Sequence, residues 1–299
     1  MHPAVRHLDP ETIRRFRRLD LVARTIVEGF YAGRRASRRR GFSVEFSDYR
    51  EYAPGDNPGD IDWTVWARTD RHYVRQHESE TNLRCTICLD RSASMDWRSH
   101  ARVPTKAEYA TAVAAALAWL LVHGRDRVGL VTFDTRVRTH LAAKARRAHL
   151  WRLLEVLDRE RSEGRTDLAA ALDAAARLMR RRGMVVVISD LLSRDTQGVL
   201  RALRHLAFRG QDVVVLQILD ERELEPTGLE GIDLEDPETG AVAPALKAGA
   251  RAYRREILRL IDAYRGEATR GRIDYALLST STPFDRALAT FLRSRAARC

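Results

Sequence analysis

Three short segments carry oxygen donors at spacings that suit a hard metal ion: Asp90-Arg91-Ser92-Ala93-Ser94, Gly164-Arg165-Thr166-Asp167 and Ser189-Asp190. Asp90, Ser92 and Ser94 stand at i, i+2 and i+4, so an extended backbone turns all three side chains the same way. The first and third segments each follow an apolar run, Cys85–Leu89 and Met184–Ile188, that reads as a buried strand. In an open α/β sheet the carboxyl ends of the strands are where ligands bind. The candidate ligands are Asp90, Ser92, Ser94, Thr166 and Asp190. Two carboxylates and three hydroxyls, with no His or Cys, suit Mg²⁺ or Mn²⁺ and not zinc. Hydroxyl ligands leave such an ion under-neutralised, so an acidic group from a partner can complete its shell.

The same residues argue against bond chemistry. Phosphatases of the haloacid dehalogenase type need a second acid two residues after the strand-end Asp to handle the leaving group's proton. Ser92 occupies that position. Neither Ser92 nor Ser94 lies in a G-x-S-x-G elbow, and nothing links His100, His123, His140 or His149 to them. A non-enzymatic binding site is the expectation, with a metal-dependent hydrolase as an alternative. Cys85 and Cys88 have C-x-x-C spacing but fall inside a strand, where i and i+3 face opposite ways. They read as two core thiols.

The elements that must position these residues alternate between strand and helix. Strands are expected at 84–89, 128–133, 185–188, 213–219 and 273–278, and helices at 106–122, 146–159, 167–182, 196–209 and 247–267, followed by a closing helix from 283 to 295. Val137–Leu141 reads as an antiparallel neighbour of the second strand. Such alternation implies βα units and a mostly parallel sheet with helices on both faces. Asp167 or Thr166 is placed to cap its helix, and Gly183 to end it. Residues 9–28 read as an amphipathic helix and 34–40 as a basic connector. Tyr73–His77 reads as an edge strand, and 221–245 as an irregular insertion or short hairpin. Two parts follow: 1–80, an N-terminal helix, connector and small lobe, and 81–299, the α/β domain.

Composition bounds the function classes. An apolar fraction of 44% over 299 residues is ordinary for a globular protein. The longest uncharged apolar run, 112–122, is too short to span a bilayer. The first 20 residues carry no apolar leader segment, so a cytoplasmic protein is expected. The formal net charge of +11 comes from arginine, since only Lys106, Lys144 and Lys247 are lysines. Residues 1–40 hold 11 arginines against 4 acids. The Arg34–Arg40 cluster keeps a nucleic-acid-associated role as an alternative, although no aromatic residues interleave with it for base stacking.

On the motif Asp90-x-Ser92-x-Ser94, Thr166 and Asp190, the chain resembles the von Willebrand factor A domain with its metal-ion-dependent adhesion site. The resemblance implies direct metal ligation by the two Ser and the Thr, with the aspartates often acting through water. Upstream, Glu45-Phe46-Ser47-Asp48-Tyr49-Arg50-Glu51-Tyr52, Pro54-Gly55-Asp56, Ile61-Asp62-Trp63 and Ala67-Arg68-Thr69 are similar to the signature of the bacterial "domain of unknown function 58" family. So are Leu219–Leu224 and Asp274-Tyr275 to Arg295. Gly59-Asp60 departs from that signature, which usually has a basic residue shortly after Pro-Gly-Asp. Membership implies a von Willebrand factor A-like fold, a MoxR-type AAA+ ATPase as partner, and a chaperone-like or complex-assembly role. The dense charges and aromatics of residues 46–70 read as an ion-paired lobe packed on the sheet edge.

Overall fold

The computed structural model describes residues 18–38, 49–51, 73–75, 83–179, 181–226, 233–235, 242–244, 247–271 and 273–284, with 286, 288 and 289. Its centre is a six-stranded sheet. In chain order the strands are β3 (Arg84–Asp90), β4 (Arg127–Phe133), β5 (Val137–Lys144), β6 (Gly183–Ser189), β7 (Gln211–Leu219) and β10 (Asp274–Ser279). They lie in the order β10-β7-β6-β3-β4-β5, all neighbours parallel except β4 and β5. This is the expected α/β architecture, a mostly parallel sheet with helices on both faces. Two antiparallel pairs lie apart from the sheet: β1 (Tyr49–Glu51) with β2 (Tyr73–Arg75), and β8 (Asp233–Glu235) with β9 (Val242–Pro244).

Helices cover both faces. On one face α1 (Leu19–Arg38), α2 (Lys106–His123) and α3 (Arg147–Arg159) pack on Cys85, Ile87, Leu89, Met184, Val186 and Ile188. On the other, α4 (Leu168–Leu178), α5 (Thr196–Phe208) and α7 (Lys247–Gly271) pack on Cys88, Val131, Val185 and Val187. A single helical turn, α6 (Glu221–Leu224), follows β7. The alternation along each strand divides its side chains between two cores. Cys85 and Cys88 therefore sit in different cores, both buried and both free thiols. Burial pushes the Cys88 thiol up to about 12, so it is inert at neutral pH. α2 is apolar on nearly every face because it is the central helix, lying under α1 and α3.

Several boundaries differ from expectation. α1 runs through Arg34–Arg38, where a connector was expected; Arg and Ala are good helix formers. Residues 9–17 lie outside the described residues. α4 stops at Leu178, so Gly183 opens β6 and does not end the helix. A Cβ there would stand 2.5 Å from the Arg84 carbonyl oxygen, so the close approach of β6 to β3 requires glycine. Within 221–245, the antiparallel β8–β9 pair matches the short-hairpin alternative, preceded by a capped turn.

Candidate functional site

Acidic residues stand at the carboxyl ends of three adjacent strands: Asp90 ends β3, Asp190 follows β6 and Asp220 follows β7. All three are buried. Asp90 Oδ1 accepts from the Ser92 amide at 2.9 Å, and Oδ2 accepts from the Ser189 hydroxyl at 2.6 Å. The first contact is an Asp-turn that folds the loop back on its own strand end. It leads into a short 3₁₀ turn, Ala93–Asp96. There the Ser92 and Ser94 hydroxyls lie 3.1 Å apart. Ser92 is buried, while Ser94 is half-buried and faces the loop surface.

The threonine segment is laced to this loop through backbone bonds. Ala93 N–H donates to the Gly164 carbonyl at 3.0 Å, and Glu163 N–H to the Arg91 carbonyl at 3.0 Å. Gly164 has φ +76°, a left-handed conformation that glycine takes without steric cost. Arg138 clamps the segment from β5, donating to the Arg161 and Glu163 carbonyls at 2.7 Å each and to Asp134 Oδ2 at 2.6 Å. Thr166 comes next and is half-buried. Asp167 caps α4, accepting from the Ala170 amide. The three segments thus meet at one end of the sheet.

Sequence reasoning did not place Lys106 here. It is 1% exposed, with Nζ 2.8 Å from Asp190 Oδ2 and 2.6 Å from Glu223 Oε1. A buried ammonium at the first turn of a helix faces two penalties, desolvation and the positive end of the macrodipole. Burial lowers its pKa; the charges and hydrogen bonds of Asp190 and Glu223 overcome that and hold it above the ordinary lysine value. Asp190 is further tied by the Leu192 amide on Oδ1 and by Gln217, which donates to its carbonyl. Glu223 is placed by a capping box with Asp220, whose Oδ2 also accepts from Ser99 and Thr280. One signal for Lys106 was available: it is one of three lysines in a chain rich in arginine. Ser189 and Asp220 carried a second, as polar residues closing apolar strands.

The electrostatics leave room for a cation. Burial, then the Asp190 charge, push Asp90 up to about 7, against hydrogen bonds from Ser189 and Ser92. Lys106 is already shared between Asp190 and Glu223, so among the described residues Asp90 has no hydrogen-bonded counter-ion. The residues fit a hard divalent ion. Adjacent ligands on an Mg²⁺ octahedron of about 2.1 Å radius are about 3.0 Å apart, close to the Ser92–Ser94 hydroxyl separation of 3.1 Å. Among the described residues no cluster of three or more His, Cys, Asp or Glu has metal-binding geometry, so an ion here would have to draw on the hydroxyls. With both Asp190 oxygens already accepting hydrogen bonds, a bridging water suits that residue better than direct ligation.

Residues 48–267 match the family described as "Protein of unknown function DUF58". The chain belongs to the DUF58 family. A DUF58 relative, the uncharacterised protein Rv1480 of Mycobacterium tuberculosis, is 32% identical over 265 residues, 85% of this chain and 82% of that protein. Among solved structures, the conserved hypothetical protein BatB from Bacteroides thetaiotaomicron overlaps at TM-score 0.45 and 18% identity, over 72% of this chain and 99% of that one. The SpRpn10 VWA domain overlaps at TM-score 0.42 and 12% identity, over 70% and 94%. Among the described residues of this DUF58 chain, no helix is long and apolar enough to cross a membrane.

Proposed function

We propose that this protein is a non-enzymatic, divalent-metal-dependent interaction module whose partner supplies a carboxylate to an ion held by Asp90, Ser92, Ser94, Thr166 and Asp190. The observation that carries the reading is the pair of hydroxyls at octahedral-edge spacing beside a buried carboxylate that has no hydrogen-bonded cation among the described residues. Mg²⁺ or Mn²⁺ there would supply positive charge and an open coordination position. The protein's own groups do the rest: Ser189 and the Ser92 amide orient Asp90, Lys106 holds Asp190, and Arg138 keeps the Thr166 segment against the loop.

Among the described residues the hydrogen bonds of the histidines lend hydrolysis no support. His100, His123, His149 and His205 are engaged with Glu221, the Trp119 carbonyl, the Val128 carbonyl and Asp173, and not with a serine. A MoxR-type AAA+ ATPase is the proposed partner class, on the family resemblance, in complex assembly or chaperone-like activation. The test is capture of a MoxR-type ATPase from the same genome by the full chain. Capture in millimolar Mg²⁺, lost in EDTA and in Asp90→Ala, is the expected result. Capture indifferent to both would refute the mechanism.

A further inference from the structure

Beside the metal loop lies a cleft of about 540 Å³. That size suits a small molecule or a few residues of peptide. Among the described residues its apolar wall includes Leu19 and Val22 of α1 together with Phe284, and the facing wall is the 157–163 stretch that leads into Gly164. Five carboxylates line it against two guanidiniums. This runs against the charge of the whole chain, +11.

An independent observation points to a ligand. Arg91 Nε, Glu160 Oε2 and Ser162 Oγ are buried without a hydrogen-bond partner, and all three residues line this cleft. Arg91 is 3% exposed; its backbone belongs to the metal loop, and its two terminal nitrogens donate to Thr111 and to the Leu157 carbonyl. A buried polar group left without a partner destabilises the fold, and more so where it is charged. Glu160 and Ser162 are half-buried, so a turn about a side-chain torsion brings their oxygens to the cleft. What is missing is an acceptor for the Arg91 N–H and a donor for Glu160 Oε2, since the other Glu160 oxygen accepts from Thr139 and its charge faces Arg91. An extended basic peptide offers both, a backbone carbonyl and an arginine or lysine side chain, and its apolar residues can lie on Leu19, Val22 and Phe284.

We infer that this cleft docks an arginine- or lysine-bearing extended segment of a partner protein, with Asp158, Glu160 and Glu163 receiving the basic side chain and Arg91 the backbone. The inference does not depend on metal binding. Its test uses the full chain and fluorescein-labelled hexapeptides of the form Leu-X-Ala-Leu-X-Gly, with X as arginine, citrulline or glutamate, read by anisotropy. The chain's positive charge opposes non-specific capture of basic peptides, so binding must come from a local acidic site.

The arginine peptide should bind, with at least tenfold weaker binding for citrulline and none for glutamate. Glu160→Gln should weaken it about tenfold, and so should the exposed pair Asp158→Asn/Glu163→Gln, which keeps the test sound if Glu160→Gln fails to fold. Ser92→Ala/Ser94→Ala should leave the affinity within twofold, separating this site from the metal. Equal binding of arginine and citrulline peptides overturns the inference. So does undiminished binding by the acidic-residue variants, and so does no binding by the wild type, whether the cleft is inert or the chain's own arginines already fill it.

Discussion

Lys106 shows how single residues set the character of the site. Its ammonium is buried between Asp190 and Glu223, so the pair of acids is stable only while it is there. Removing one partner of a buried ion pair costs about 3–5 kcal/mol, because the remaining charges are left unpaired. Lys106→Met should lower stability by that amount in denaturant titration; a loss under about 1 kcal/mol would contradict the geometry. Arg138 acts one step further out. It touches the carbonyls of the segment that carries Thr166, not the oxygens proposed to hold the ion. Partners of that kind usually change metal affinity by about 10–100-fold. Arg138→Ala should weaken Mn²⁺ binding on that scale with little change in melting temperature, and unaltered affinity would remove Arg138 from the account. Asp90 and Asp190 were legible as strand-end positions because polar residues closing apolar strands have few structural reasons to be there. Lys106 and Glu223 were not, because they reach the site from helical turns whose burial only the three-dimensional packing decides.

At the scale of elements, strands were easier to read than helix ends. Val185–Ile188 is a continuous apolar run and Val128–Phe133 is interrupted only by Thr132, as suits strands buried on both faces. Val137–Lys144 alternates in burial, as an edge strand with one solvated face should. The end of α4 was misplaced because Gly183, which is also the usual helix stop, is needed where β6 meets Arg84. The extension of α1 into the arginines was missed because charge density read as connector, although arginine propagates a helix well. Packing between elements also makes a pH prediction. His149, in the first turn of α3, bonds the Val128 carbonyl on β4. Burial first, then Lys144 and Arg152, hold its pKa below the ordinary value, against that bond. The unfolded chain then takes up the proton first as pH falls, so this stability is complete above about pH 6.5 and is lost below it. His149→Gln keeps a donor and should flatten the stability profile between about pH 7 and 5; an unchanged slope would mean that other groups set it.

For the whole molecule, an ion that binds only the folded state must stabilise it. At one hundred times its dissociation constant the gain is about 2.7 kcal/mol, which is about 5–10 °C in melting temperature for a domain of about 200 residues. The MoxR-type partnership and the basic-peptide cleft would place two docking points at one end of the sheet, one sensing a partner's carboxylate and one its cations. Both depend on the loop between Asp90 and Ser94 having the shape seen here, and metal binding itself probes that loop most directly. Calorimetric titration of Mg²⁺ and Mn²⁺ into the full chain should show one site per molecule, lost in Ser92→Ala/Ser94→Ala while that variant keeps its fold. Wild type and variant giving the same heats, or neither taking up metal, would contradict it.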